Sequence, residues 1–206
     1  MYKLPYFTED DHSKVLAFMN EYPFAAVTGY GEDYPVATQL PLNIETRADK
    51  LLLTGHLMKN TDHHRAFEKN ENVLVIFNGP HTYISASWYR KQDVASTWNY
   101  ISVHAKGKIR FTNREGTYRA IQSITDKYEG KVSPAAFSCL SEEYVSGLLN
   151  AIVGFEIEVM SLDNVFKLSQ NHHEETRISI TEQLIKRGDE NSLAIAKEMR
   201  KRMENE

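Results

Sequence analysis

The chain has 206 residues and a formal net charge of −4, from 24 basic and 28 acidic side chains spread along its length. This length suits one domain with a sizeable core, and the scattered acidic balance does not favour binding to a nucleic-acid backbone. A single cysteine excludes an internal disulfide and a thiolate zinc site, and no apolar run reaches the roughly 18 residues of a membrane helix, so we expect a cytoplasmic protein.

The first part of the sequence predicts a short helix followed by strands. In chain order the predicted elements are a helix capped by Thr8 and ended by Pro23, a hairpin of strands 24–30 and 34–42, a strand over 50–54, and a helix over 61–70. Acidic residues in the first turn support the helix. Turn-like residues between β-prone runs support the hairpin, and the polar stretch 43–49 is predicted as a loop.

The second part alternates between strands and helices less regularly. Its predicted elements are a strand over 73–77 closed by a turn at Asn78–Pro80, a strand over 81–87, a long strand over 98–111 interrupted by Gly107, helices over 113–128 and 141–150, a strand over 151–160, and a charged helical tail. We interpret Gly107 as a bulge or a barrel bend. Five to seven short strands with flanking helices predict a mainly β, α+β fold built on a closed or split barrel.

One candidate binding segment runs from Leu53 to Asn60. It places the hydroxyl of Thr54, the imidazole of His56, the ammonium of Lys59 and the amide of Asn60 at a strand end that leads into a helix. Such a junction can bind phosphate through backbone N–H groups, side-chain donors and the helix dipole. The alternative is an ordinary polar loop in which His56 bonds to the backbone.

A second candidate segment contains both tryptophans of the chain. Trp88 and Trp98 lie ten positions apart on either side of a charged loop, so both can face one wall of a cleft. Indoles stack well on a planar ligand such as an isoalloxazine. Barrel core and dimer contact are the alternative uses of these side chains.

Other chemistry is not supported by the sequence. The histidine pairs 63–64 and 172–173 are adjacent, so their side chains diverge, and no metal-binding spacing is present. We therefore predict no metal site. Ser85 and Ser87 have no identifiable acid and base partners, and the basic run 197–202 is interrupted by acid, which is typical of a solvated helix face.

Blocks along nearly the whole chain resemble the PaiB-type family of FMN-binding negative transcriptional regulators. They are Pro23–Ala25, Ala37–Leu42, Gly55–His56 with Lys59–Asn60, Val75–Pro80, Tyr83–Ser85 with Ser87–Tyr89, Thr97–Tyr100 with Val103–Ala105, and Ala151–Phe155 with Lys167–Asn171. The resemblance implies a split β-barrel domain over 1–170, with a C-terminal helical extension over 171–206 packed on it. It also implies FMN as cofactor and a homodimer with ligand sites at the subunit interface.

The resemblance implies a role for each candidate site residue. Thr38, Gln39 and Leu40 would bond to the flavin ring through backbone and side-chain groups. Around the phosphate would lie Thr54, His56, Lys59 and Asn60. The cleft would be closed by Trp88, Trp98 and Asn99, from the other subunit. Related oxidases use a cluster of arginine and lysine at the phosphate, whereas Lys59 is the only cation between Gly55 and Asn60, and losing one charge-assisted bond costs ~1.5–3 kcal/mol.

Three functions fit this resemblance. The first is an FMN-binding repressor of sporulation and degradative-enzyme genes; the charge does not support direct DNA binding, so it would act through a partner or a flavin-dependent reaction. The second is an FMN-dependent oxidoreductase of the flavin-reductase or pyridoxamine-phosphate-oxidase type, in which the cofactor does the chemistry. The third is a haem-binding split barrel with His56, His104, His172 or His173 as axial ligand. The sequence leaves open whether the protein is an enzyme.

Overall fold

The computed structural model describes residue 1, residues 4–89 and residues 93–204. Its helices and strands, in chain order, are α1 His12–Glu21, β1 Phe24–Tyr30, β2 Pro35–Pro41, β3 Asn43–Arg47, β4 Lys50–Met58, α2 Asp62–Lys69, β5 Asn72–Ile84, β6 Thr97–Phe111, α3 Arg114–Glu129, α4 Glu142–Ala151, β7 Ile152–Lys167, α5 Glu174–Arg187 and α6 Glu190–Glu204. Short 3₁₀ turns at Pro5–Phe7, Ala86–Trp88 and Phe137–Cys139 complete the regular structure. Over these residues, no helix is long and apolar enough to cross a bilayer.

The strands form one seven-stranded sheet in the order β2-β1-β5-β6-β7-β4-β3. Strand β1 pairs antiparallel with β2 and β5, and β4 pairs antiparallel with β3 and β7. The predicted hairpin is confirmed, with Phe24 opposite Pro41 and Tyr30 opposite Pro35. The mainly β architecture with flanking helices, predicted from the strand count, is confirmed as well.

The chain divides into two compact units. We call Met19–Phe77 with His104–Leu162 the hairpin unit, and Met1–Phe18 with Asn78–Val103 and Asp163–Glu206 the terminal unit. The predicted boundary at residue 170 falls inside the terminal unit, in which both C-terminal helices also lie. Strands β5, β6 and β7 contribute residues to both units.

The core of the hairpin unit consists of strand side chains and one helical cluster. Leu53, Val75, Phe77 and Ile157 are fully buried, because alternate residues of each strand face inward. The helical cluster contains Ile121 and Phe137, together with Val145 and Leu149 of α4. These contacts anchor α3 and α4 within the unit.

The core of the terminal unit is dominated by α5 and α6. The two helices pack against each other. Almost completely buried are Ile180 and Leu184 of α5 and Ile195 and Met199 of α6. Arg187 at the end of α5 donates to the hydroxyl of Thr82 and to the carbonyl of Tyr83 on β5, both at 2.9 Å. The predicted helical tail is therefore two packed helices, separated at Gly188, whose left-handed conformation ends α5.

Three predictions of where helices and strands lie are wrong. Helix α1 begins at His12 rather than after Thr8, because the Asp11 carboxylate accepts from Ser13 N at 2.9 Å and caps the first turn. The polar stretch after β2 is strand β3, in which buried Asn43 donates to Ser123 at 2.9 Å. Strand β4 continues past Thr54 to Met58, so Gly55 and His56 are strand residues.

The predicted turn at Asn78–Pro80 is also wrong, since β5 runs through it without a break. In the sequence Gly79 suggests a turn, but in the structure the absence of a side chain at Gly79 leaves room for the ring of Phe18. A Cβ at Gly79 would lie 2.4 Å from Cε2 of Phe18. Glycine and proline in a strand thus mark a close contact as well as a chain reversal.

Candidate functional site

The residues predicted to bond to the flavin ring lie on an edge strand. Thr38, Gln39 and Leu40 are in β2, which stands at one end of the strand order and pairs with β1. Gln39 is exposed, and its two neighbours are half-buried. An edge strand presents backbone N–H and C=O groups on its outer side, which suits the hydrogen-bonding rim of a planar heterocycle.

Thr54 and His56 lie two residues apart in β4, so their side chains share one face of the sheet. Thr54 is buried, and its hydroxyl donates to the Glu45 carboxylate at 3.2 Å. His56 is half-buried, and burial lowers its pKa because the charged imidazolium is poorly solvated there. The ring is therefore neutral at pH 7 and has one donor and one acceptor nitrogen.

Lys59 lies next to the end of α4. Its ammonium donates to the carbonyls of Leu149 and Asn150 at 3.1 and 3.3 Å, in the last turn of that helix. Lysine is favourable at this position because the helix dipole is negative there. An ammonium group has three donors, so these two bonds leave one for a ligand.

The N-terminus of α2 is capped by the chain itself. Asn60 adopts a left-handed conformation with φ of 64°, and Thr61 Oγ1 accepts from His64 N at 3.3 Å. The Asp62 carboxylate accepts from His63 N at 2.7 Å. Since these side chains already occupy first-turn donors, the dipole-assisted phosphate site predicted from the sequence has fewer backbone groups to offer.

Strands β2 and β4 meet within the hairpin unit. A Cβ at Gly55 would lie 3.2 Å from Cδ2 of Leu42 and 3.0 Å from Cζ of Phe155. Leu42 directly follows β2, and β2 itself contacts β4, so the strand that holds Thr38–Leu40 touches the strand that holds Thr54 and His56. Their combined donors are a strand edge, an imidazole, an ammonium and an amide, a chemistry that fits FMN.

The two tryptophans have different surroundings. Trp88 is half-buried, and the guanidinium of Arg187 lies 4.5 Å from its ring centroid, a cation–π contact. Ser179 of α5 donates to the carbonyl of Trp88 at 2.9 Å. Trp88 therefore serves the packing of α5 in the terminal unit, whatever ligand contact it also makes.

Trp98 belongs to an exposed aromatic patch. We define the patch as His81 and Tyr83 of β5 with Trp98 of β6, whose ring lies 6.1 and 6.0 Å from theirs. Trp98 is 52% exposed, and an exposed indole among aromatic neighbours is typical of a contact surface. The next residue, Asn99, faces the opposite way and is fully buried.

Asn99 of β6 is hydrogen-bonded to the turn that follows β7. Its amide nitrogen donates to Ser169 Oγ at 2.9 Å, and Ser169 Oγ donates back to the amide oxygen at 3.1 Å. This turn belongs to the block Lys167–Asn171, which the resemblance singled out without giving its residues a role. The resemblance marks this block in the sequence, but nothing in its residue types predicts the bonds to Asn99.

Metal binding finds no support in the described residues. Within 4–89 and 93–204, no three His, Cys, Asp or Glu side chains come together as ligands.

A family model described as "Putative FMN-binding domain" matches residues 1–161. The chain belongs to this FMN-binding family. The resemblance to the PaiB-type family is confirmed, because the chain is 33% identical over the full length of both proteins to "Protease synthase and sporulation protein PAI 2" of Bacillus subtilis. Family membership also confirms FMN as the predicted cofactor.

Solved structures of other members of the fold agree. The chain matches a FAD- and haem-binding protein of Mycobacterium smegmatis with a TM-score of 0.60 at 14% identity, covering 84% of this chain and 78% of that one. It matches a flavocytochrome of Azotobacter vinelandii with a TM-score of 0.62 at 11% identity, covering 81% and 72%. At these identities the likeness concerns the fold alone, and the predicted split-barrel class is confirmed.

Proposed function

We propose that this PaiB-type protein is a homodimeric FMN-binding regulator, whose flavin lies at the subunit interface and whose output is repression of protease and sporulation genes. The observation that supports this proposal is the contact between β2 and β4. This contact joins the strand that holds Thr38–Leu40 to the strand that holds Thr54 and His56, which supports a flavin site that also uses Lys59 and Asn60.

The phosphate end of this proposed site is weakly charged. Lys59 is its single ammonium, and two of its donors go to the end of α4. His56 is neutral at pH 7 because burial lowers its pKa. The phosphate is therefore held by one charge-assisted bond and several neutral bonds, which predicts a readily exchanged flavin.

The second subunit supplies the ring wall of the proposed site. The aromatic patch of His81, Tyr83 and Trp98 is exposed, and exposed aromatic patches often mark contact surfaces. A second copy of the chain, with the flavin held against its patch, would cover these rings. Bound FMN supplies redox chemistry, and the protein binds it, orients it and excludes water.

The regulatory role is supported by the full-length relationship to the PAI 2 protein, whose name refers to protease synthesis and sporulation. A net charge of −4 makes contact with DNA phosphates unfavourable. We therefore place the repression in a flavin-dependent contact with a second protein.

Titration with FMN tests the binding. Flavin fluorescence should be quenched on addition of the chain, with saturation at one FMN per subunit. Lys59→Gln should weaken binding by about one to two decades, the value of a charge-assisted bond. Lys50→Gln is the matched control, because Lys50 is an exposed cation whose partner is Glu158 at 2.8 Å, and it should leave FMN binding unchanged.

Complementation tests the regulation. A Bacillus subtilis strain lacking the PAI 2 protein should regain its normal protease output and sporulation when it expresses this chain, and the Lys59→Gln variant should fail. Unquenched flavin fluorescence at saturating protein would refute the cofactor proposal. A chain that binds FMN but restores neither phenotype would refute the regulatory one.

A further inference from the structure

The terminal unit contains a cavity that is lined by no residue of β2 or β4. It has a volume of about 310 Å³ and lies where the first 3₁₀ turn, the start of β6 and the residues after β7 meet. Its lining includes Tyr6, Phe7, Tyr89, Thr97, Lys167 and His172.

Lys167 gives the cavity its charge. Its ammonium donates to Thr97 Oγ1 at 2.5 Å and lies 5.8 Å from the centroid of the Phe7 ring. Burial lowers the pKa of Lys167, since an ammonium that loses water loses stability. Among the described residues that line the cavity, none is acidic.

His172 also lines the cavity. The pKa of its imidazole is lowered first by burial, then by the neighbouring His173 and by Lys167. An anion in the cavity would face Lys167, while hydroxyl groups such as that of Ser96 and the amide of Asn171 line the same space. A carboxylate accepts several such bonds at once.

Aromatic rings form much of the remaining surface. Tyr6 and Phe7 pack edge to face with centroids 4.5 Å apart, and Tyr89 packs edge to face with His172 at 4.8 Å. Ring faces and edges favour a flat ligand over a branched one. A cavity of about this size is at the lower end of the range for small-molecule sites, which limits the ligand to roughly a single substituted ring.

The turn after β7 holds these groups in place. Ser169 is buried and has a left-handed backbone with φ of 63°, which is costly for a residue other than glycine. The Gln170 side chain stabilises the turn by bonding to the backbone before it, accepting from Leu168 N at 2.7 Å and donating to Phe166 O at 2.5 Å. Such a stiff turn reduces the entropy lost on binding.

We propose that this cavity is a binding site for a small aromatic carboxylate, with Lys167 facing the carboxylate and the rings of Phe7 and Tyr89 facing the ligand ring. Of the residues predicted for the flavin site, Asn99 also lines this cavity, but its amide is bonded to Ser169, and the proposal does not require bound FMN. A metabolite of this class would then act as the effector or the co-substrate of the protein.

Calorimetric titration of the FMN-free, full-length chain with benzoate tests the proposal. Benzoate should bind at one site per chain. Benzamide lacks the charge and acetate lacks the ring, so each should bind at least about ten-fold more weakly. Lys167→Gln should weaken benzoate binding by about ten-fold or more, whereas Lys186→Gln, which removes an exposed cation of α5, should leave it unchanged.

Thermal unfolding establishes that both variants are folded, and adding benzoate should raise the melting temperature of the wild type and of Lys186→Gln alone. Equal binding of benzoate and benzamide, or equal binding by wild type and Lys167→Gln, would overturn the proposal. Because flavin fluorescence reports FMN separately, a chain that binds FMN and ignores benzoate would refute this cavity site and leave the proposed function standing.

Discussion

His56 is the residue whose protonation couples most directly to the proposed flavin site. Burial lowers its pKa in the folded protein, so the unfolded chain takes up a proton first as the pH falls. The contribution of neutral His56 to the free energy of unfolding is therefore fully present above the ordinary histidine pKa of about 6.5. It decreases as the pH falls from there toward the pKa of His56 in the folded protein.

We expect the free energy of unfolding to be lower at pH 5.5 than at pH 7.5, and His56→Asn to reduce that difference. Denaturant titrations at the two pH values measure it. His12→Asn, at an exposed histidine, controls for the loss of an imidazole. A difference unaffected by His56→Asn would assign the pH dependence to other groups, among them His172, whose pKa is also lowered.

Asn99 shows the limit of residue-level inference from the sequence. The resemblance implied a ligand contact, yet its amide is fully buried and bonded to Ser169. We expect Asn99→Ala to destabilise the protein by about 1–3 kcal/mol, because Ser169 loses a buried partner. Urea unfolding measures this cost. Asn171→Ala, at an exposed position of the same turn, should change stability by less than ~0.5 kcal/mol.

Glycine positions in the strands were the least predictable elements. The sequence predicts a bulge or a bend at Gly107. In the structure, the absence of a side chain at Gly107 allows close contact between β6 and β7. A Cβ there would lie 2.5 Å from the carbonyl oxygen of Glu158. Composition predicts where a strand lies, but not how near the next backbone comes.

Replacing this glycine tests the contact. Gly107→Ala should destabilise the protein by about 1–3 kcal/mol, the usual cost of overpacking. Gly147→Ala is a matched control, because no atom lies within 4 Å of its Cβ position in α4, and it should stabilise by ~0.5–1 kcal/mol. Equal effects of the two substitutions on the unfolding midpoint would contradict this account.

Pairing determined which polar segments became strands. Stretch 43–49 has no strand signature, yet β3 forms because five consecutive residues pair with β4. In contrast, the sequence predicts the helix over 61–70 from its helical composition, and Thr61 caps it through a bond from His64 N. Local signals of this kind are readable from the sequence, whereas partners distant along the chain are not.

At the scale of the whole molecule, the proposed dimer is the feature with the clearest test. If the aromatic patch joins two subunits, Trp98→Glu should convert the dimer into a monomer, because a buried charge without a partner is costly. Size-exclusion chromatography with light scattering measures the molecular mass of the protein in solution. Tyr34→Glu is the control: Tyr34 is 82% exposed and outside the patch, so that variant should keep the mass of the wild type.

The bonds from Lys59 to the last carbonyls of α4 link the proposed ligand loop to a distant part of the sequence. A phosphate bound to the third donor draws the same ammonium toward itself and weakens its bonds to those carbonyls, so ligand occupancy and fraying of the helix end become coupled. Amide hydrogen exchange in the final turn of α4 should then accelerate when flavin binds. The surface around Asn150 would differ between the flavin-free and the flavin-bound protein, so a partner that contacts this surface would distinguish the two states.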